Sequence, residues 1–301
     1  MKIYRAVCAI IILLIGTGVM AYSGARIFEA EQIYQEGDSV YENLRSHVMK
    51  NKVSCRNSEI YENSEEKLGV CTESEINSCE SDESDEFDEL NPINNIKKNE
   101  VSYEASEEEP QIYIPDVEIN YDGLNSINND AAAWLYCPGT AIDYPVMKTN
   151  DYNYYLTHLP DGTENANGSL FIDYNCASDF SGKLTVIYGH HMRSGSMFGS
   201  LKRYKEQAYY EKHPFMYLYT EQGNYRIELI YSCVVSAGQW GERGFMYSEN
   251  AGELLAYAAH NTTFESGRKY KESDRIVVLS TCSYEFDDAR FVVIGILKEE
   301  Y

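Results

Sequence analysis

The chain has 301 residues, 44% of them hydrophobic, with 27 Tyr against 2 Trp. That length allows one or two domains, and the tyrosines suit a sheet-rich fold with polar-tipped aromatics. A formal charge of −23 argues against a nucleic-acid partner, because phosphate contacts need a surplus of Lys and Arg.

The charge is unevenly spread: residues 1–54 sum to +1, residues 55–110 to −14 and residues 111–301 to −10. Residues 1–25 predict a membrane anchor. Lys2 and Arg5 precede an uncharged run from Ala6 to Tyr22. At about 1.5 Å per residue the run is roughly 25 Å long, a short span once its interfacial flanks are added. Basic residues ahead of it predict a cytoplasmic N-terminus and an exported remainder. The alternative is a secretory signal cut near Ser23-Gly24-Ala25, which puts the remainder on the same side.

Residues 26–52 predict a helical juxtamembrane segment, with Ile33, Val40, Leu44 and Val48 at roughly helical spacing. Gly37 predicts two short helices or one broken one. Residues 53–110 are rich in Ser, Glu, Asp and Asn. They predict a disordered acidic spacer, because they bury too little apolar surface to offset ordering entropy. As a flexible coil it would span about 40 Å. A cation-binding or partner-binding tract is the alternative reading.

Residues 111–301 have a globular texture. A short helix near YDGLNSINND leads into a strand that ends at Pro138-Gly139. AIDYPVMKT, GSLFIDYNC, KLTVIYGHHM, FMYLYT, YRIELIYSCVVSAG, RIVVLSTC and RFVVIGILKEE follow as strands. DYNYYLTH, SMFGSLKRY, the start of QAYYEKHPF and ENAGELLAYAAHNTT read as helical inserts. The fold class is therefore mainly β: roughly eight strands in a closed or nearly closed barrel, with short helical inserts.

Eight cysteines stand at 8, 55, 71, 79, 137, 176, 233 and 282. None has CxxC or zinc spacing, so no metal is expected, and nothing implies another cofactor. Outside the apolar run seven remain, so pairing leaves at least one thiol over.

Cys282 ends a strand, and Arg290 opens the next across the loop SYEFDDA. Residues at the two ends of such a connection face each other. A guanidinium there offers donors to a carbonyl oxygen gaining charge. The plain alternatives are a core cysteine and an Arg290 salt bridge to Asp287 or Asp288. A thiol nucleophile also needs a proton partner. His190 ends the strand LTVIYG, where Gly189 permits close approach of another backbone. His191 should point the other way while the chain stays extended. His213 and His260 read as structural or surface residues, and His158 as a loop residue.

Together TVIYGHH, VVLSTC and ARFVV resemble the signature of the sortases, and their details are similar to class B. WLYCPGTAIDYPVMKTNDYNYYL, GSLFIDYNC and YGHHMRSGSMFGSLKRY extend the likeness, which covers roughly residues 120–297. Val278 stands where the family pattern has a leading Thr. The resemblance implies a sortase-like β-barrel behind an N-terminal transmembrane helix, and a cysteine transpeptidase on the outer face of a Gram-positive membrane. Cys282 would attack a threonine carbonyl in the C-terminal sorting signal of an exported protein. His190 would protonate the leaving amine and deprotonate the incoming one, and Arg290 would steady the oxyanion. The acceptor would be an amine of a peptidoglycan cross-bridge or its precursor. Ser280, Thr281 and Leu156 are secondary candidates for lining the substrate groove, though plain packing explains each as well. Three other readings stay open: pilin polymerisation, a Cys-His peptide hydrolase, and a non-catalytic surface-binding barrel.

Overall fold

The structure, a computed structural model, describes residues 2–51 and 117–300, with side chains for 13–49 and 117–300. The expected acidic spacer at 53–110 and the cysteines at 55, 71 and 79 lie outside what is described, as does the side chain of Cys8.

The chain begins with one continuous helix, α1 (Lys2–Val48). The break expected at Gly37 does not occur, and tertiary packing explains why. A Cβ on Gly37 would come within 2.4 Å of Asn167 Nδ2 and 2.9 Å of Asn165 Oδ1. Those side chains reach across to the helix: Asn165 Nδ2 donates to the Ile33 carbonyl at 2.8 Å and Asn167 Nδ2 to the Tyr34 carbonyl at 3.1 Å. Such contacts offset the ~1 kcal/mol by which Gly disfavours a helix interior. One turn further on, Tyr41, Leu44 and Val48 are buried, and Tyr41 Oη donates to the Gly168 carbonyl at 2.5 Å. The earlier half behaves differently, with Leu13, Leu14, Ile15, Val19, Met20, Ile27 and Phe28 all exposed. Among the described residues no helix is long and apolar enough to cross a membrane. The described side chains begin only at Leu13, part-way along the uncharged run, and charges return at Arg26 and Glu29.

Directly after α1, β1 (Met49–Asn51) pairs antiparallel with β2 (Val117–Ile119), and Asn51 stands opposite Val117. No sequence pattern announces this pairing, since the strands are three residues each and far apart in the chain. It holds the two ends of the intervening segment side by side. Whatever lies between them therefore does not set the distance from α1 to the barrel.

The barrel contains β3 (Ala131–Tyr136), β4 (Asp143–Met147), β5 (Leu170–Ile172), β6 (Leu184–Tyr188), β7 (Phe215–Thr220), β8 (Gly223–Ser236), β9 (Arg275–Cys282) and β10 (Ala289–Glu300). These eight strands close in the order β10-β8-β7-β3-β4-β5-β6-β9, as the strand count predicted. Closure leaves no unpaired edge. The β4–β5 and β6–β9 pairs are parallel and the others antiparallel. β6, β9 and β10 are buried along nearly their whole length, which accounts for their unbroken Val/Ile/Leu character. Helices α2 (Tyr121–Ile127), α3 (Gln207–Lys212), α4 (Ala237–Glu242) and α5 (Ala251–Asn261) fill the connections. The SAG expected to end a strand instead starts α4: Ser236 Oγ accepts from the Gln239 amide at 3.1 Å and caps the turn.

Two measurements test these contacts. Replacing residues 52–116 by a four-residue turn should leave the fold intact and raise stability by ~2 kcal/mol, because closing a loop costs ~0.6 kcal/mol per doubling of length. A fall in the urea midpoint would contradict the β1–β2 closure. Gly37→Leu should destabilise by about 1–3 kcal/mol through overpacking and open α1 to proteolysis. Gly24→Leu, where a Cβ meets nothing within 4 Å, should do neither.

Candidate active site

β9 is buried from Ile276 to Thr281 and ends at Cys282, which is exposed and unbridged. The other described thiols are buried and unbridged too. Burial pushes Cys137 up to about 11 and Cys233 up to about 12, and it raises Cys176 as well. These thiols stay protonated and inert near neutral pH. Cys282 is thus the accessible thiol among the described residues.

Arg290 stands directly opposite Cys282 in the antiparallel β9–β10 ladder, with Phe291 opposite Thr281. Directly paired residues project to the same face with Cβ atoms about 4.5–5.5 Å apart. The hairpin register therefore sets the guanidinium beside the thiol. Neither Asp287 nor Asp288 forms an ion pair with Arg290 among the described residues, and Arg290 Nε is buried with no hydrogen-bond partner. Several bonds close the loop between them. The Ser283 amide donates to the Ala289 carbonyl at 2.8 Å, and Asp288 takes a φ of 62° at the corner. Glu285 is clamped by Lys205 and by Ser283 Oγ.

His190 arrives on the adjacent strand. β6 runs parallel to β9, and its last paired residue, Tyr188, stands opposite Ser280, so His190 leaves β6 at the end of the barrel where β9 ends in Cys282. Two bonds fix this strand end: the Gly189 amide donates to the Ser280 carbonyl at 3.2 Å, and Thr281 Oγ1 donates to the Gly189 carbonyl at 2.8 Å. Gly189 is required here, since a Cβ would lie 2.4 Å from Leu170 and 2.7 Å from Phe198. His190 Nε2 donates to the Leu156 carbonyl at 2.6 Å, which leaves Nδ1 as the nitrogen able to exchange a proton. Behind it lies Gly168, the residue that Tyr41 of α1 bonds.

Of the secondary candidates, Leu156 meets the site through its backbone carbonyl, and its side chain is half-buried. Ser280 and Thr281 are both buried. Strand alternation exposes one of two neighbours only where one face of the strand is open, and β9 is covered on both faces. Thr281 holds Gly189, while Ser280 Oγ has no partner.

Three features were not legible from the sequence. His191 packs edge-to-face on Tyr284 at 5.2 Å and lies near the Cys282 backbone. Burial lowers its affinity for a proton, and Lys202 and Lys205 add to that. The Lys205–Glu285 clamp joins residues far apart in the chain. Trp240 of α4 donates to Tyr188 Oη at 3.2 Å, and Tyr188 Oη donates to Asp173 at 2.9 Å, which braces the end of β6.

No family model matches the sequence. A sortase B of Listeria monocytogenes is 32% identical over 176 residues, spanning 57% of this chain and 71% of the relative. The chain belongs to the class B sortases. The solved sortase B of Clostridium perfringens superposes with a TM-score of 0.54 at 28% identity, covering 59% of this chain and 98% of that one. A sortase B complexed with triglycine gives a TM-score of 0.55 at 26% identity, covering 60% and 86%. As a sortase the protein is a cysteine transpeptidase, an enzyme rather than a non-catalytic barrel.

Thr281→Val keeps the side-chain volume and deletes the bond to Gly189. Loss of a buried bond of this kind should cost about 1–3 kcal/mol, read from the urea midpoint. A wild-type midpoint would show that this bond does not hold β6 against β9.

Proposed function

We propose that Cys282, His190 and Arg290 carry the transpeptidation, and that the enzyme joins exported proteins to an amine of the cell wall. The observation that carries this reading is the register placing Arg290 opposite the exposed, unbridged Cys282. The Cys282 thiol gives its proton to His190 Nδ1 as sulfur attacks the carbonyl carbon of a threonine in the sorting signal. Arg290 donates to the oxygen that becomes negative. The C–N bond breaks, and the leaving amine takes the proton from His190. An incoming primary amine then loses a proton to His190 and attacks the thioacyl carbon. The C–S bond breaks, and the thiol recovers that proton. Each half-reaction returns the site to its starting protonation.

The acceptor in this reading is an amine of a peptidoglycan cross-bridge or its precursor. The solved relative complexed with triglycine supports an oligoglycine-type amine. The sequence supports a location outside the membrane, with residues 1–25 as a single-pass anchor, because Lys2 and Arg5 precede the uncharged run. Residues 53–110 are proposed as an acidic insertion that catalysis does not need.

Incubating the protein with a pentapeptide library and triglycine, followed by mass spectrometry, identifies both the recognised peptide and the acceptor. Cys282→Ala should give no thioacyl enzyme and no linked product, with little change in stability, since a small side chain at a strand end leaves a small cavity. Linked product from that variant would remove Cys282 from the nucleophile role. Arg290→Lys should lose about 10²–10³ in kcat if the planar fork stabilises the oxyanion. Turnover near that of the unaltered enzyme would remove Arg290 from that role.

A further inference from the structure

A cleft of about 350 Å³ opens between α1 and the chain following β6. Glu31 and Asp38 line it from α1, His191 and Tyr284 line it from the catalytic side, and Asn167 lies among them. It adjoins the reaction centre: His191 follows His190, Tyr284 follows Cys282 by two residues, and the His191 and Tyr284 rings meet edge-to-face at 5.2 Å.

The lining shares an unmet need for donors. Asn167 is only 2% exposed. Its Nδ2 is committed to Tyr34 and Asp38, while its Oδ1 is buried with no partner. An acceptor left this way costs about 1–3 kcal/mol. His191 Nδ1 is buried and unpartnered as well. Next to them stand two carboxylates, and burial together with Glu31 and Glu42 raises the Asp38 carboxyl above its ordinary value. A cation entering here relieves that crowding. Among the described residues lining the cleft, the exposed Arg193 is the one permanent cation. Carboxylates, an amide oxygen and a ring nitrogen together match a ligand that carries positive charge and several N–H groups.

We propose that this cleft binds the acceptor of the second half-reaction, an extended peptide ending in a primary ammonium, with Glu31 and Asp38 holding the charge and Asn167 Oδ1 taking a peptide N–H. The proposal rests on the transpeptidase reading above. It makes α1 part of the substrate site as well as a scaffold. A peptidoglycan-type α-amine and a lysine ε-amine share the chemistry, and the test separates them.

Full-length Cys282→Ala protein is titrated by ligand-observed NMR with triglycine, Nα-acetyltriglycine and Nα-acetyl-lysine amide. At least one free amine should bind saturably. If triglycine binds, blocking its ammonium should weaken binding at least about tenfold, and combining Glu31→Gln with Asp38→Asn should weaken it at least about fivefold. If the lysine amide binds in its place, with the same dependence on Glu31 and Asp38, the acceptor is a side-chain amine. Asp38→Asn keeps an oxygen acceptor for Asn167, and any general attraction to residues 53–110 is common to both proteins. Absence of saturable binding by either amine overturns the proposal, as does binding indifferent to the double variant. Thioacyl formation at Cys282 needs no amine and is read separately. If it occurs without amine binding, only this proposal fails. If it does not occur, the transpeptidase reading fails whatever the cleft binds.

Discussion

The site depends on strand register. Arg290 faces Cys282 because β9 and β10 pair without a slip between them. A one-residue slip would turn the guanidinium to the opposite face of the sheet. The register is held from several sides. Phe291, Val292 and Val293 are buried, so a slip would move a whole apolar run. β10 is also paired to β8 along its full length, with its irregularity at Ile294–Gly295, well away from the site. The loop from 283 to 288 closes by its own backbone bond and is clamped through Glu285 to Lys205. The thiol and the guanidinium are therefore brought together by ladder hydrogen bonds and core packing, with no direct bond between them. This leaves Arg290 Nε uncommitted.

His190 is placed by a different device. The parallel β6–β9 pairing brings its strand to the site, but Tyr188 is the last residue in register. Beyond it the chain is held by Thr281 and by the Leu156 carbonyl. The Leu156 bond also selects the tautomer. A carbonyl can only accept, so the proton sits on Nε2 and the reactive nitrogen is Nδ1. The imidazole is thus oriented by a backbone group, where many thiol enzymes use a carboxylate. Trp240 and Tyr188 brace the same strand end from below.

Much of this was legible in the sequence, and for definite reasons. The eight barrel strands are apolar or β-branched runs bounded by turn residues, and the motifs around His190, Cys282 and Arg290 sit at strand ends whose positions follow from those runs. What failed did so where distant parts of the chain decide the outcome. Gly37 looks like a helix break, yet it is the point where the helix can lie against Asn165 and Asn167. β1 and β2 are too short to carry a pattern and exist only as each other's partner. Ser280 and Thr281 were candidates for lining the groove, with plain packing as the alternative. Both are buried because β9 is covered on both faces. The contact of His191 with Tyr284 arises just past the last paired residue of β6, where strand alternation no longer fixes side-chain direction.

The helix α1 ties these elements to the rest of the chain. Its run of exposed apolar residues reaches Phe28, and its first deeply buried anchor is Tyr41. At about 1.5 Å per residue these lie roughly 20 Å apart along the axis. Tyr41 bonds the Gly168 carbonyl, and Gly168 backs the His190 ring. The helix therefore sets a fixed distance between its apolar half and the catalytic end of the barrel. Because β1 and β2 close immediately after α1, the acidic segment between them leaves and returns at one place and cannot lengthen that distance.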